Sequence, residues 1–205
     1  MSDDPLALIR TRRVIRALTD EPVERAQLER ILEAASHAPS AGNRRLQRFV
    51  AVEDAATLRV LRMVAPGMLQ RPTAAIVIFV DVGAAVEYGF APGSRGLYID
   101  VGTAAQTMLL AAHALGLGSG PVTSFSRAAV GAVLNAPPDW SPEMVICLGH
   151  PAPTQPPAMV PVRRRSWREL AHWGRFAPSG TRQTDAAVPY RDQLGYSSLR
   201  QARDS

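Results

Sequence analysis

The chain has 205 residues, 46% of them hydrophobic, and its formal net charge is +5; this length and composition suit one globular unit with a substantial core. All 23 basic residues are arginines, and because they are interspersed with acidic residues, as in residues 24–33, the charge does not predict a nucleic-acid partner. The single cysteine, Cys147, excludes an intramolecular disulfide bond and a multi-cysteine metal site.

No apolar stretch of the sequence reaches the ~20 residues needed to span a bilayer. Asp3 and Asp4 stand where a secretory leader would carry cations. We therefore expect a cytoplasmic protein without a membrane partner. Cys147 lies in the apolar run 145–148, which predicts an inert core thiol.

The first half of the chain predicts, in order, a helix at 4–11 with Leu6 and Ile9 facing inward, an irregular or extended segment at 12–18, an amphipathic helix at 24–36 and a turn at 38–43. The amphipathic helix at 24–36 is predicted because residues 28, 31, 32 and 35 are apolar and have the spacing of one helix face. Pro39 and Gly42 end that helix.

The second half adds strands at 74–82 and 144–148 to a first one at 48–52, and helices at 98–117 and 127–134. The glycine-rich stretch 116–125 is expected to be a connector, and the proline-rich stretch 151–161 to be extended, without regular pairing. The elements lack a regular βαβ alternation, which favours the α+β class. We expect one domain over 1–175 and a polar tail, or an arm over a partner, at 176–205.

The sequence shows no nucleophile with an adjacent base and no metal-ligand spacing among its four isolated histidines. Asp100 falls at the start of the predicted central helix, where helix capping is the favoured interpretation. If the protein is an enzyme, a cofactor is therefore expected to carry the chemistry.

Three segments could hold an anionic cofactor. Arg12, Arg13 and Arg16 can supply charge-assisted contacts to a phosphate, or they can form a solvated basic face. Residues 39–43 offer a hydroxyl and an amide beside small residues, or they simply end a helix. The stretch 116–125 can present backbone N–H groups to a planar ring, or it is an ordinary connector.

In chain order, these segments resemble the nitroreductase family of FMN-dependent oxidoreductases. The family opens with a helix, an Arg-Arg-Ser-x-Arg-like stretch, a helix led by Pro-Val and an Ala-Pro-Ser-x-x-Asn turn before a strand. Here residues 12–16 read Arg-Arg-Val-Ile-Arg, 22–23 read Pro-Val, and 38–43 read Ala-Pro-Ser-Ala-Gly-Asn. Stretches at 100–118, 148–151 and 163–173 resemble the family's second half and its closing basic motif.

The resemblance implies an α+β fold with a central, mainly antiparallel sheet flanked by helices, and a homodimer with FMN at the subunit interface. The residues it carries over are Arg12, Arg13, Arg163 and Arg164 for the FMN phosphate, Arg16 for the N1/O2 edge of the ring, Pro39, Ser40 and Asn43 for the ring and ribityl chain, and Pro121, Val122, Thr123 and Ser124 near the ring. The backbone N–H around Thr123 would face flavin N5.

The chain departs from the family pattern at three places. Val14 stands where serine is usual and has no hydroxyl for the phosphate. The family's Asn-x-Gln-Pro-Trp becomes Asn-Arg-Arg-Leu-Gln at 43–47, which removes an aromatic residue and adds two cations. Thr123 and Ser124 replace a common acid and glycine, so the electrostatics near N5 differ.

The function implied is hydride transfer from NADH or NADPH, through flavin N5, to an electron-poor small molecule such as a nitroaromatic compound or a quinone, by a ping-pong mechanism. A flavin enzyme that acts on one specific metabolite is the alternative within the enzyme class. A flavin- or ligand-binding protein without turnover, and an arginine-rich nucleic-acid binder, are the alternatives outside it.

Overall fold

The structure is a computed structural model, and it describes residues 4–91, 93–157 and 165–174. The chain divides into two compact units, 1–157 and 158–205. In the second unit the described residues contain one short helix, Trp167–Leu170, with a capping box between Ser166 and Glu169. The sheet and the other helices belong to the first unit.

A four-stranded antiparallel sheet forms the centre of the first unit. Its strands are β1 (Gln47–Val52), β2 (Ala74–Asp81), β3 (Gly118–Val122) and β4 (Trp140–Gly149), in the order β1-β2-β4-β3. Ile78 of β2 lies opposite Phe49 of β1 and Met144 of β4. The register between β2 and β4 shifts at the residue after Ile78. β2 is buried along almost its whole length because both faces of the sheet are covered.

Helices cover the two faces of the sheet. They are α1 (Pro5–Thr11), α2 (Arg25–Ser36), α3 (Ala55–Val64), α4 (Val82–Glu87), α5 (Arg95–Ala114) and α6 (Arg127–Val133), with a short 3-10 helix at Ala41–Asn43. One core joins α2 and α5 to the sheet through Ile31, Met108 and Ile146. A second core joins α3 and α6 to the opposite face through Leu61 and Val130. The predicted α+β fold with a helix-flanked antiparallel sheet is confirmed.

Several local predictions differ from the structure. Leu6 and Ile9 do not face inward but are exposed. The central helix begins and ends three residues earlier than predicted, at Arg95 and Ala114. Helices α3 and α4 were not predicted. The stretch 116–125 is not only a connector, since it contains β3.

The start of the proline-rich stretch forms one isolated β-bridge rather than regular pairing. Pro151 forms an antiparallel bridge with Leu18, and the Ala152 N–H donates to the Ala17 carbonyl at 3.0 Å. Gln155 accepts the N–H groups of Arg16 and Ala17 and returns a bond to the Ala17 carbonyl. Residues 158–161 of that stretch lie outside the described residues. Within the described ranges, every helix is too short or too polar to cross a bilayer.

Candidate functional site

Residues 12–16, here called the arginine segment, run beside the edge strand β3. The Ile15 N–H donates to the Ser119 carbonyl at 3.0 Å. Beneath them lies Gln70, which is only 4% exposed and donates through Nε2 to the Ile15 carbonyl at 3.4 Å. A Cβ at position 120 would lie 2.1 Å from Gln70 Nε2, so Gly120 allows this close approach of the Gln70 side chain to β3. Gln70 thus joins the arginine segment to β3, although nothing in the sequence marked it.

The three arginines of this segment differ in their surroundings. Arg12 is half-buried, and its Nη1 atom is buried without a hydrogen-bond partner among the described residues. Arg13 is exposed, and its Nη1 donates to the carbonyls of Arg10 and Arg12 at 2.8 and 2.9 Å. Arg16 is half-buried. None of the three forms an ion pair with a described residue, so the segment carries positive charge that is open to an anion.

The end of β3 presents backbone polar groups beside the arginine segment. The Ser119 carbonyl points away from β4. Because the direction of the backbone polar groups alternates along a strand, those of Pro121 and Thr123 also point away from β4. The Thr123 N–H has no acceptor in the described part of the chain. Ser124 is exposed, and its carbonyl accepts the Gly67 N–H at 3.0 Å. The Val122 side chain is buried in the core, so this residue can offer a ligand only its backbone.

Residues 38–46, here called the 38–46 turn, are held against the N-terminal half of α5. The Ala41 N–H donates to both carboxylate oxygens of Asp100 at 3.0 Å. Thr103 donates its hydroxyl to the Pro39 carbonyl at 2.9 Å. Asp100 lies in the second turn of α5 and is buried, so the predicted capping role is wrong. Its carboxylate anchors the turn instead.

The arginine segment and the 38–46 turn are attached to different parts of α5. Thr11, directly before the arginine segment, is hydrogen-bonded to His113 near the end of α5 at 2.9 Å. Thr103 and His113 are ten residues apart, which is about 15 Å along a helix. One copy of the chain therefore brings the arginine segment and β3 together, and it attaches the turn that carries Pro39, Ser40 and Asn43 to an earlier part of α5. Arg163 and Arg164 lie outside the described residues.

Two surface clefts lie elsewhere and contain none of the predicted site residues. A cleft of about 450 Å³ lies beside α6 and is lined in part by Arg127 and Trp140. Arg127 is already paired, at 2.7 Å, with the buried carboxylate of Glu143. A cleft of about 440 Å³ lies beside β1 and the start of α3. Burial raises the pKa of the Cys147 thiol to about 12, so this cysteine does not supply a nucleophile at neutral pH.

The candidate site therefore combines a positively charged segment with the edge strand β3, and the Thr123 N–H at the end of that strand has no acceptor in the described part of the chain. The family model described as the nitroreductase family matches residues 9–81 and 71–150. The chain belongs to this family. The match includes the arginine segment, the 38–46 turn and β3.

Individual relatives agree with this assignment. An NADH dehydrogenase from Thermus thermophilus is 32% identical over 171 residues, which cover 69% of this chain and 83% of the relative. A 5,6-dimethylbenzimidazole synthase from Rhodobacter capsulatus is 28% identical over 190 residues, 79% of this chain and 89% of the relative. A Desulfovibrio desulfuricans protein solved in complex with FMN is 30% identical, with a TM-score of 0.69 over 86% of this chain and 100% of the other.

Proposed function

We propose that this nitroreductase-family chain is an FMN-dependent oxidoreductase that moves hydride from NADH or NADPH to an electron-poor small molecule. When bound, FMN supplies the two-electron chemistry, and the protein supplies binding, orientation and electrostatics. The family match supports this function, as do the relatives named for NADH dehydrogenase activity and for an FMN complex.

The observation that carries the proposal is the buried Arg12 Nη1 atom, which has no partner among the described residues. A guanidinium without an anionic partner is unfavourable when part of it is buried, and a phosphate beside the segment would supply the missing negative charge. Residues that fit the FMN phosphate are therefore present. Arg13 would add charge at the same place, and Arg16 is the predicted contact at the N1/O2 edge of the ring, where a cation would favour negative charge. Arg163 and Arg164 remain predicted phosphate ligands.

The predicted ring contacts lie at the end of β3. The Thr123 N–H has no acceptor in the described part of the chain and is available to donate to flavin N5, and Pro121 and Ser124 lie exposed on either side of it along the chain. Val122 holds this edge in place through its buried side chain. The protein would contribute a backbone donor near flavin N5 and help to orient the ring.

A second copy of the chain would complete the site. Pro39, Ser40 and Asn43 lie in a turn that attaches to α5 about ten residues before the Thr11 contact, and we propose that they contact the FMN bound by the partner subunit. The exposed face of α5 suits close contact with that partner. Ile99 on this face is 65% exposed, and Gly102 has no atom within 4 Å of the place a Cβ would take. An exposed glycine inside a helix costs about 1 kcal/mol relative to alanine, a cost that close helix packing would offset.

The purified full chain provides the test. We expect a yellow protein that releases FMN on heating, forms a dimer in analytical ultracentrifugation, and oxidises NADH or NADPH when menadione or nitrofurazone is added. A colourless monomer that takes up no FMN would overturn the proposal. A colourless protein with steeply salt-dependent DNA binding would favour the nucleic-acid alternative instead.

A second candidate function is flavin chemistry on one specific metabolite. The similarity to a 5,6-dimethylbenzimidazole synthase over 79% of this chain favours it. Nicotinamide reactivity separates the two candidates. Bound FMN that is reduced by dithionite but by neither NADH nor NADPH would support the metabolite-specific enzyme, whereas rapid turnover with several unrelated acceptors would support the first candidate.

A further inference from the structure

Two adjacent arginines in the 38–46 turn have no counter-charge. Arg44 and Arg45 are exposed, and neither forms an ion pair with a described residue. Arg48, three residues further on, differs because it is paired with Asp81 at 3.0 Å. The nearby carboxylate of Asp100 is occupied by the Ala41 N–H. The turn therefore presents two uncompensated guanidinium groups directly after Asn43.

The backbone that carries these arginines has an unusual conformation. Asn43 and Arg45 have φ angles of 55° and 53°, in the left-handed region that residues with a Cβ seldom adopt. Gly42 lies in the same region at 57°. Such residues persist only where the surroundings fix them, and they concentrate at ligand-binding sites. A plain helix-ending turn needs one left-handed residue and not three.

Contacts on both sides fix this conformation. The Ser40 hydroxyl accepts the Arg45 N–H at 3.1 Å, and Arg48 donates to the Arg45 carbonyl at 3.0 Å. Leu46, the next residue, is buried. The main chain at position 45 is thus held at its N–H, its carbonyl and the following side chain, while the Arg45 guanidinium has no partner among the described residues.

The Arg44 side chain is also oriented. Its guanidinium carbon lies 4.4 Å from the centre of the Tyr88 ring in the loop after α4. This stacking holds the guanidinium through one face and leaves its edge N–H groups free for an acceptor. A stacked arginine beside an unpaired one offers the planar donor arrangement that binds carboxylate or phosphate.

We propose that Arg44 and Arg45 bind an anionic group, a carboxylate or a phosphate, on the small molecule that reacts at the site. This inference rests on the proposed function, since it assigns a substrate class to the same flavin site. Ser40 and Asn43 belong to that site and adjoin the two arginines, so a molecule at the ring comes close to them. The anion has two possible sources, an acidic electron acceptor or the 2′-phosphate of NADPH.

Variants that respect the backbone test the inference. Arg45→Asn removes the charge and keeps a residue that tolerates a left-handed φ, and Arg45→Lys keeps the charge. Arg44→Gln removes the second charge. Arg59→Ala on α3 is the matched control because it removes an exposed arginine on the opposite face of the sheet.

Two ratios of kcat/KM identify the source of the anion. The first compares 4-nitrobenzoate with nitrobenzene, and the second compares NADPH with NADH. We expect Arg45→Asn and Arg44→Gln each to lower one of these ratios by about tenfold, the loss of one charge-assisted contact. Arg45→Lys should retain most of the wild-type ratio, and Arg59→Ala should change neither.

The failures of the two proposals are distinguishable. A protein that contains FMN and turns over nitrobenzene, but whose two ratios do not change in Arg45→Asn and Arg44→Gln, overturns this inference and leaves the proposed function intact. A protein that cannot bind FMN overturns the proposed function and this inference together.

Discussion

Arg12 differs from its two arginine neighbours in having a buried guanidinium nitrogen that no described residue satisfies. We expect Arg12→Ala to weaken FMN binding by about 1.5–3 kcal/mol, because it removes a charge-assisted contact to the phosphate. The measurement is the dissociation constant for FMN, obtained by fluorescence titration of deflavinated protein.

Arg13 provides the matched control for this prediction. Its Nη1 is already used by the carbonyls of Arg10 and Arg12, so Arg13→Ala should have a smaller effect than Arg12→Ala. Equal FMN affinity in wild type and Arg12→Ala would show that the phosphate binds elsewhere.

At the level of single residues, the sequence predicted charge but not packing. The arginine segment could be identified because consecutive arginines are visible in the sequence and resemble a family motif. Gln70 could not, since its importance comes from contacts with Ile15 and position 120, far away in the chain. Val122 is predicted near the ring, and its side chain is buried because the β-strand period directs it into the core, which leaves only its backbone for such a contact.

Among the elements, α5 organises the site through Asp100. Asp100→Ala would leave the Ala41 N–H without its acceptor and loosen the 38–46 turn, so we expect a loss of about 1–3 kcal/mol in the free energy of unfolding. Urea denaturation followed by circular dichroism measures it. Asp100→Asn keeps one acceptor oxygen and should lie within about 1 kcal/mol of wild type. Equal destabilisation by both substitutions would indicate that the carboxylate charge, not the hydrogen bond, matters.

Elements with a strong sequence pattern were predicted well, as the amphipathic helix α2 and the continuous apolar strand β2 show. β3 was not, because Gly118, Gly120 and Pro121 disfavour strands in isolation. Their extended conformation depends on pairing with β4 and on the Ile15 N–H. Helix α3 did carry a sequence signal, since Asp54 caps it and Leu58 and Leu61 have helical spacing. Tertiary pairing therefore explains the missed strand, while the missed helix was predictable.

For the whole molecule, the order of motifs along the chain was enough to identify the family, but it did not reveal which segments meet. In the structure, the 38–46 turn and the residue before the arginine segment attach to α5 about three helical turns apart. The sequence alone does not show this offset, because it depends on which residues of α5 bind Thr11, Pro39 and Ala41. The offset supports the proposed dimer.

Dimer formation and FMN binding should consequently fail together. Ile99→Arg places a charge on the exposed face of α5, where a partner subunit would bury it without a counter-charge, and we expect dimerisation to weaken by about 3 kcal/mol, or ~100-fold. Met63→Arg is the control, because Met63 is 80% exposed on α3, at the opposite face of the sheet.

Sedimentation velocity gives the oligomeric state, and absorbance at the flavin band gives the FMN content of the same samples. We expect Ile99→Arg to be monomeric and colourless and Met63→Arg to be dimeric and yellow. A monomeric Ile99→Arg protein that retains FMN would show that one copy holds the cofactor alone, and a dimeric one would place the interface on another surface.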